Sequence, residues 1–291
     1  MNKETLLLEL DKLFIDDIAE KIVDMVIFTP KTKQELQIAV NLWCKNKEEA
    51  EKKYGNINTW DTSLITDMSS LFAYCEYFND DIGNWNVSKV KNMNGMFYDA
   101  KSFNQSLNDW NVSNVEDMGS MFFKAETFNQ PLNDWDVSYV SDMSCIFVSA
   151  NSFNQPLNNW DVLNVKSMAW MFYEAGSFNQ PLNNWDVSNV EDMCSIFDSA
   201  KSFNQDIGNW DVSNVKNMKS MFDRALSFNQ PLNNWDVSNV YSMCSIFDGA
   251  KSFNQPLNEW DVSNVKDMNG MFKNSGMSEL PEWYLHNDWD N

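Results

Sequence analysis

A tryptophan recurs every twenty-five residues along most of this chain. Nearly identical sequence surrounds each copy, and the register is unbroken through Trp60, Trp85, Trp110, Trp135, Trp160, Trp185, Trp210, Trp235 and Trp260. One unit of this length cannot bury its own apolar face, so tandem units of this kind stack and share a continuous core. The repetition therefore predicts a solenoid of nine coils.

Each repeat combines a helical pattern with a segment that favours extended backbone. Counted from its tryptophan, the consensus is W-D-V-S-N-V-x-x-M-x-x-M-F-x-x-A-x-x-F-N-Q-P-L-N-N. The run M-x-x-M-F-x-x-A has the spacing of one face of a short helix, as in Met118, Met121, Phe122 and Ala125. The run P-L-N-N-W-D-V favours a strand through its tryptophan and valine. We therefore predict an α/β repeat in which each coil holds a short parallel strand and a short helix.

The repeats divide the chain into three parts. We expect a helical N-terminal cap with a possible docking segment at 1–59, the solenoid at 60–275 and a C-terminal cap at 276–291. Caps are expected because the terminal coils of a solenoid would otherwise expose their core. On the N-terminal side, a capping box from Thr32 to Glu35 precedes apolar residues at helical spacing, which are Leu36, Ala39, Val40 and Trp43.

Two further apolar segments lie outside the repeats. Residues 4–27 have the pattern of one or two helices, which either extend the cap or dock another protein. After the last repeat, the apolar residues from Leu280 to Leu285 break the pattern, and we expect them to cover the coil of Trp260.

The net charge of −21 limits the classes of partner. Little of it lies in residues 1–59, so the repeats themselves are acidic. An acidic surface repels phosphate backbones and anionic lipid headgroups and favours basic or neutral partners. We predict no nucleic-acid binding and no membrane binding. The sequence shows no signal-peptide pattern and no apolar run of about 20 residues, so we expect a cytoplasmic protein.

Two polar columns accompany the apolar ones. Asparagine fills the twentieth position from Asn79 to Asn254, which predicts a ladder of amides that satisfies open backbone groups. Aspartate follows the tryptophan in seven repeats, whereas Asn86 and Asn111 take that place in two others. Either the carboxylates bind amides two residues further on, or they hold a cation between coils. The two asparagines favour the first interpretation, because an amide keeps the acceptor and loses the charge.

The sequence contains no pattern typical of an enzyme. Its only histidine is His286, and no nucleophile–base pair, phosphate-binding glycine loop or metal cluster interrupts the repeats. The five cysteines lack the spacing of zinc ligands and are interpreted as reduced, small apolar side chains. We predict no catalytic residue, no cofactor and no metal site.

Positions that vary between repeats are the candidates for recognition, because the invariant ones form the core. The fourteenth position is aromatic or apolar in four successive repeats, at Tyr98, Phe123, Val148 and Tyr173. It then becomes aspartate at Asp198, Asp223 and Asp248. We predict that the first four residues, with Trp170 beside them, form an exposed partner-binding stripe; the alternative is that they fold against their own coil.

The motif F-N-Q-P-L-N-N-W-D-V-S-N-V-x-x-M, at 178–193 and again at 228–243, resembles the BspA-like leucine-rich-repeat family in its 25-residue mycoplasma-type form. The resemblance covers about three quarters of the chain. It implies a right-handed, non-catalytic solenoid similar to leucine-rich repeats, of a kind found on surface adhesins and also in intracellular proteins.

These observations predict a non-catalytic scaffold that binds a protein partner with a basic or apolar surface through its variable positions. The alternatives are an adhesin-like solenoid and one that binds cations or glycans. Replacing Phe123 and Tyr173 with serine should abolish partner binding without unfolding the chain, unless both belong to the core.

Overall fold

The helices of this protein lie outside its repeats. The structure is a computed structural model that describes residues 27–285, with helices α1 (Lys33–Lys45), α2 (Lys47–Tyr54) and α3 (Glu282–Leu285) and a 3₁₀ turn at Ile57–Thr59. From the first repeat up to α3, the described chain is built of turns, with one isolated parallel β-bridge between neighbouring repeats. His286 and most of the apolar segment predicted at 4–27 lie outside the described residues.

Helix α1 confirms the helix predicted in the N-terminal flank. It begins after Thr32, whose Oγ1 accepts a hydrogen bond from the amide of Glu35 at 3.2 Å. The Glu35 carboxylate accepts in turn from the amide of Lys31, one residue earlier than in a standard capping box. Its buried face consists of Leu36, Ala39, Val40 and Trp43, as the sequence spacing predicts.

The buried face of α1 lies against the first repeat. The ring of Trp43 meets that of Trp60 edge-on, with centroids 5.8 Å apart, and Phe28 contacts Trp60 in the same way at 5.1 Å. Polar contacts fix the position of α1, because Gln37 Nε2 donates to the carbonyl of Leu71 at 2.9 Å. These contacts cover the aromatic core at its N-terminal end.

Backbone hydrogen bonds join each repeat to the next. Every second amide between the ninth and fifteenth positions donates to a carbonyl of the following repeat, so these amides all point in one direction. The amides between them mostly close turns with the carbonyl three residues earlier. In the repeat of Trp185, the inter-repeat bonds run from Met193, Ser195, Phe197 and Ser199 to Asn217, Lys219, Met221 and Asp223, at 2.6–3.0 Å.

Two residues of every repeat adopt the left-handed backbone conformation. They occupy the eleventh and fifteenth positions, with φ between 52° and 67°, and only Gly95, Gly249 and Gly270 among them are glycines. A side chain in this conformation costs roughly 1–2 kcal/mol. The inter-repeat bonds offset this strain, since the amides at these two positions are among those that donate to the next repeat.

The prediction of a helix in each repeat is wrong. The run M-x-x-M-F-x-x-A forms consecutive turns, which also return side chains to one side every three or four residues. The phenylalanine rings at the thirteenth position of neighbouring repeats lie 5.5–5.9 Å apart. Packed helices keep their axes about 8–10 Å apart, so helices do not fit this spacing.

The prediction of a strand over P-L-N-N-W-D-V is also wrong. The asparagine pair forms a turn that is closed by the tryptophan amide, as in the 3.1 Å bond from Trp185 to the carbonyl of Leu182. The parallel contact between repeats falls instead at the eighth position, as in the bridge from Asp192 to Asn217. Tryptophan and valine face the core here because of turns and not because of strand alternation.

Columns of stacked rings form the core. Within a repeat, the phenylalanines at the thirteenth and nineteenth positions stack with centroids 3.8–4.2 Å apart. Most of the buried indoles donate to the carbonyl twenty-eight residues earlier, as Trp185 Nε1 does to Leu157 at 2.9 Å. Trp283 in the C-terminal flank forms a similar bond, to Leu257, and its ring stacks on that of Trp260.

Both polar columns form the hydrogen bonds that the sequence predicts. Asn154 Oδ1 accepts from the amide of Asn179 and from Gln180 Nε2, at 2.9 and 3.1 Å, and this pattern recurs along the column. In the aspartate column, Asp186 Oδ1 accepts from the amide and hydroxyl of Ser188. These two bonds lower the pKa of Asp186. The amide-bonding interpretation of the aspartates is therefore confirmed.

Replacing Asn154 with alanine is expected to lower the free energy of unfolding by about 1–3 kcal/mol, because the amide of Asn179 loses its acceptor. Urea denaturation measures this loss. The N154D variant keeps an acceptor oxygen and should lose less. Equal losses in the two variants would show that the acceptor is not what matters.

Replacing Ser220 with glycine is expected to raise the free energy of unfolding by about 0.5–1 kcal/mol. Ser220 has a φ of 53°, and removing the side chain relieves strain that exceeds the added flexibility of the unfolded chain. The S220V variant, with a β-branched side chain, should be less stable than the natural protein. Thermal unfolding of the three proteins ranks them, and a glycine variant no more stable than the valine one contradicts the strain argument.

Candidate functional site

The fourteenth-position residues lie in one row. The carbonyl at this position accepts from the fifteenth-position amide of the preceding repeat, so contacts along the row step by twenty-four residues and not by twenty-five. The bonds measure 2.6–2.7 Å and run from Tyr74 to Tyr98, Asp99 to Phe123, Lys124 to Val148 and Ser149 to Tyr173. The row thus mixes side chains from two sequence columns.

Four of the five predicted partner-binding residues reach the surface. The rings of Tyr98 and Phe123 stack face to face, with centroids 4.3 Å apart, and both are half-buried. Trp170 is 41% exposed and contacts the half-buried Tyr173, at 5.0 Å between centroids. Val148 is buried, so its inclusion in the exposed stripe is wrong: its short side chain ends below the surface that the longer rings reach.

Tyr74 also belongs to this surface, although the sequence pattern did not predict it. Tyr74 is 70% exposed, and its ring lies 5.4 Å from that of Tyr98. It stands at the fifteenth position, and the one-residue offset between repeats brings it next to a fourteenth-position ring. The rings of Tyr74, Tyr98 and Phe123 form a continuous exposed cluster, which we call the aromatic patch.

An open groove of about 1000 Å³ follows the same positions toward the C-terminal repeats. We call it the charged groove, because carboxylates and basic groups share its lining. The charged side chains that line it are Glu174, Asp223, Asp248, Lys201, Arg224 and Lys251. Small residues keep it open, since a side chain added at Gly249 would meet Arg224 at 3.0 Å.

Asp198 lies beneath this groove and is only 5% exposed. Burial raises its pKa to about 7, and the carboxylates of Asp223 and Glu174 act in the same direction. A 2.9 Å hydrogen bond from the Ser199 hydroxyl and the guanidinium of Arg224 at 3.8 Å oppose this shift. The protonation of Asp198 therefore changes near neutral pH.

The surface of the described residues offers recognition chemistry. In residues 27–285, no group of three or more His, Cys, Asp and Glu side chains is placed to bind a metal ion. None of the helices described there combines the length and apolar character that crossing a membrane requires. The aromatic patch and the charged groove are two features of this surface that could contact another molecule.

The model of one protein family matches the chain in three overlapping stretches. This family is described as "Mycoplasma protein of unknown function, DUF285", and the matches cover residues 43–150, 109–202 and 180–283. Together they extend from α1 to α3 and include all nine tryptophans of the repeats. No curated protein and no solved structure matched the chain.

Replacing Asp198 with asparagine is expected to stabilise the protein by roughly 2–4 kcal/mol at about pH 8. Folding raises the pKa of Asp198 from 3.8 to about 7, so the folded state binds its proton more tightly than the unfolded state does. The natural protein therefore loses stability as the pH rises between these two values, whereas an amide does not titrate.

Urea denaturation at about pH 4 and about pH 8 measures this difference, which should be small at the lower pH. The D186N variant is a matched control of opposite sign, because hydrogen bonds lower the pKa of Asp186 and stabilise its ionised form. An effect of D198N that is equal at both pH values would contradict the assigned protonation.

Proposed function

This chain belongs to the DUF285 family, and we propose that it is a non-catalytic scaffold that holds a protein partner on the aromatic patch and the charged groove. The observation that carries the proposal is the row of rings at Tyr74, Tyr98 and Phe123, in which Tyr98 and Phe123 stack and Tyr74 lies exposed beside them. Aromatic side chains that reach the surface are typical of the residues that dominate binding energy at protein interfaces.

The proposal includes the architecture. We infer that the repeats form a solenoid related to the BspA-like leucine-rich repeats, with the right-handed coil of that resemblance. Regular stacking of equivalent rings and the repeated inter-repeat hydrogen bonds support a solenoid. The coils differ from the usual α/β repeat in having turns where the described chain was expected to hold helices.

Rigidity supports a recognition role for this surface. The aromatic patch rests on backbone carbonyls that accept hydrogen bonds from the preceding repeat, so its rings are held in place before a partner arrives. Binding of a partner then costs this surface less conformational entropy. The half-burial of Tyr98 and Phe123 also anchors each ring while leaving part of it available.

The chemistry of the surface indicates the partner's chemistry. The aromatic patch suits an apolar side chain, and Arg224 among carboxylates suits charges of either sign. The net charge of −21 favours a partner that is basic overall. We propose a basic protein segment with an apolar anchor, which combines both predicted kinds of partner.

A phage-displayed library of random peptides tests this proposal even though the natural partner is unidentified. Selection on the full chain is expected to enrich peptides that combine arginine or lysine with a large apolar residue. The Y98S/F123S double variant should lose at least tenfold in affinity for them, because the apolar anchor loses its contact surface. Titration calorimetry measures this loss, and circular dichroism verifies that the variant folds.

Two charge variants complete the design. D223N/D248N changes the charged groove, whereas D186N/D211N removes the same charge from the exposed aspartate column. Both variants remove the same negative charge and should weaken the long-range attraction equally. Only D223N/D248N should weaken binding further. Peptides that bind all variants equally, or selection that enriches none, would refute the proposal. If the chain bound glycans on an array and enriched no peptides, the glycan-binding alternative would be supported.

A further inference from the structure

Two of the five cysteines meet at the junction between the N-terminal cap and the first repeat. Cys44 lies on the exposed side of α1, and Cys75 lies half-buried in the repeat of Trp60. Cys44 shares a face of α1 with Gln37, and Gln37 and Lys47 bond to Leu71 and Asp80 on either side of Cys75. Each thiol acts on the pKa of the other. The other three cysteines belong to repeats further along the chain and are separated by at least forty-nine residues of sequence.

Contacts on both sides of the pair hold α1 against this part of the repeat. Next to Cys44, Trp43 Nε1 donates to Asp80 Oδ2 at 2.8 Å, and Lys47 forms an ion pair with the same carboxylate at 2.5 Å. Two turns of the helix earlier, Gln37 bonds to the carbonyl of Leu71. These contacts therefore hold Cys44 at a fixed place beside the segment of the repeat that carries Cys75.

Cys75 departs from the pattern of its own column. It occupies the sixteenth position, where alanine stands in the seven repeats from Ala100 to Ala250. Those alanines are buried, whereas Cys75 is half-buried beneath the cap. The repeat thus carries a thiol at the place where α1 brings a second thiol.

We propose that Cys44 and Cys75 are a disulfide-forming pair that links α1 covalently to the first repeat. The oxidant is a small-molecule disulfide such as glutathione disulfide. The Cys75 thiolate attacks one sulfur of glutathione disulfide and releases one glutathione thiolate. Cys44 then loses its proton and attacks the Cys75 sulfur, which releases the second glutathione. Two protein thiols are oxidised to one disulfide, and one glutathione disulfide is reduced to two thiols.

The surroundings of the two cysteines determine which thiol attacks first. The neighbouring thiol of Cys44 lowers the pKa of Cys75, because its proton stabilises the thiolate. The same contact raises the pKa of Cys44, and the nearby carboxylate of Asp80 adds to that effect. Cys75 is accordingly the attacking sulfur, and Cys44 becomes reactive once the mixed disulfide has removed the charge from Cys75.

The test uses the folded full chain in glutathione buffers of increasing oxidised fraction. After the remaining thiols are alkylated, trypsin should release the peptides 34–45 and 54–89 joined by one disulfide. Cys145, Cys194 and Cys244 should be alkylated. Hydrogen exchange in α1 should slow on the order of 100-fold in the oxidised protein, because the link closes a loop that would otherwise open freely.

Three outcomes would overturn the proposal. The first is a native protein in which both thiols stay free, and the second is one in which glutathione remains attached to Cys75. The third is a link that forms as readily in urea as in the folded chain, since the proposal requires the folded junction. C75A is the matched variant, because alanine fills this position in other repeats, and it should leave Cys44 unlinked.

A second control keeps the pair and removes the remaining thiols. In C145S/C194S/C244S, each serine is a residue that the same position holds in another repeat, as Ser120 and Ser144 show. This variant should form the link at the same glutathione ratio as the natural protein. A shift in that ratio would show that the other cysteines take part, which the proposed pair excludes.

Discussion

The backbone hydrogen bonds between repeats are the interaction on which the rest of the structure depends. They set a spacing that stacks flat aromatic rings and is too narrow for a helix in each repeat. They also offset the strain of two left-handed residues per repeat. Apolar burial supplies most of the stability of such a core, whereas these bonds decide which backbone conformation can supply it.

The same bonds produce the candidate site. Their offset of one residue brings Tyr74 beside Tyr98, although the two occupy different sequence columns. A surface made from two variable columns can change its chemistry from aromatic to charged within a few repeats while the core stays constant. The offset between repeats therefore decides which residues form the proposed interaction face, and the identity of each side chain determines its specificity.

Much of this architecture could be predicted from the sequence, and the failures have one cause. The tryptophan register, helix α1 and the Asn154 ladder follow from spacing and side-chain chemistry. In a helix and in consecutive turns, side chains come back to the same side every three to four residues, so the run from Met118 to Ala125 fits both. Nothing in the residue types marks the left-handed positions, because serine, tryptophan and arginine occupy them as well as glycine. Val148 was misplaced because its neighbours in the column, Phe123 and Tyr173, are aromatic.

The common direction of the inter-repeat amides gives the stack an electrical polarity. In an ordinary sheet the peptide dipoles of a strand alternate and cancel, whereas here the units at the ninth, eleventh, thirteenth and fifteenth positions add along the axis. A macrodipole results, with its negative pole at the repeat of Trp60 and its positive pole at that of Trp260. The ammonium of Lys33 and the amide of Gln37 both lie at the negative pole, where α1 meets outward-facing carbonyls.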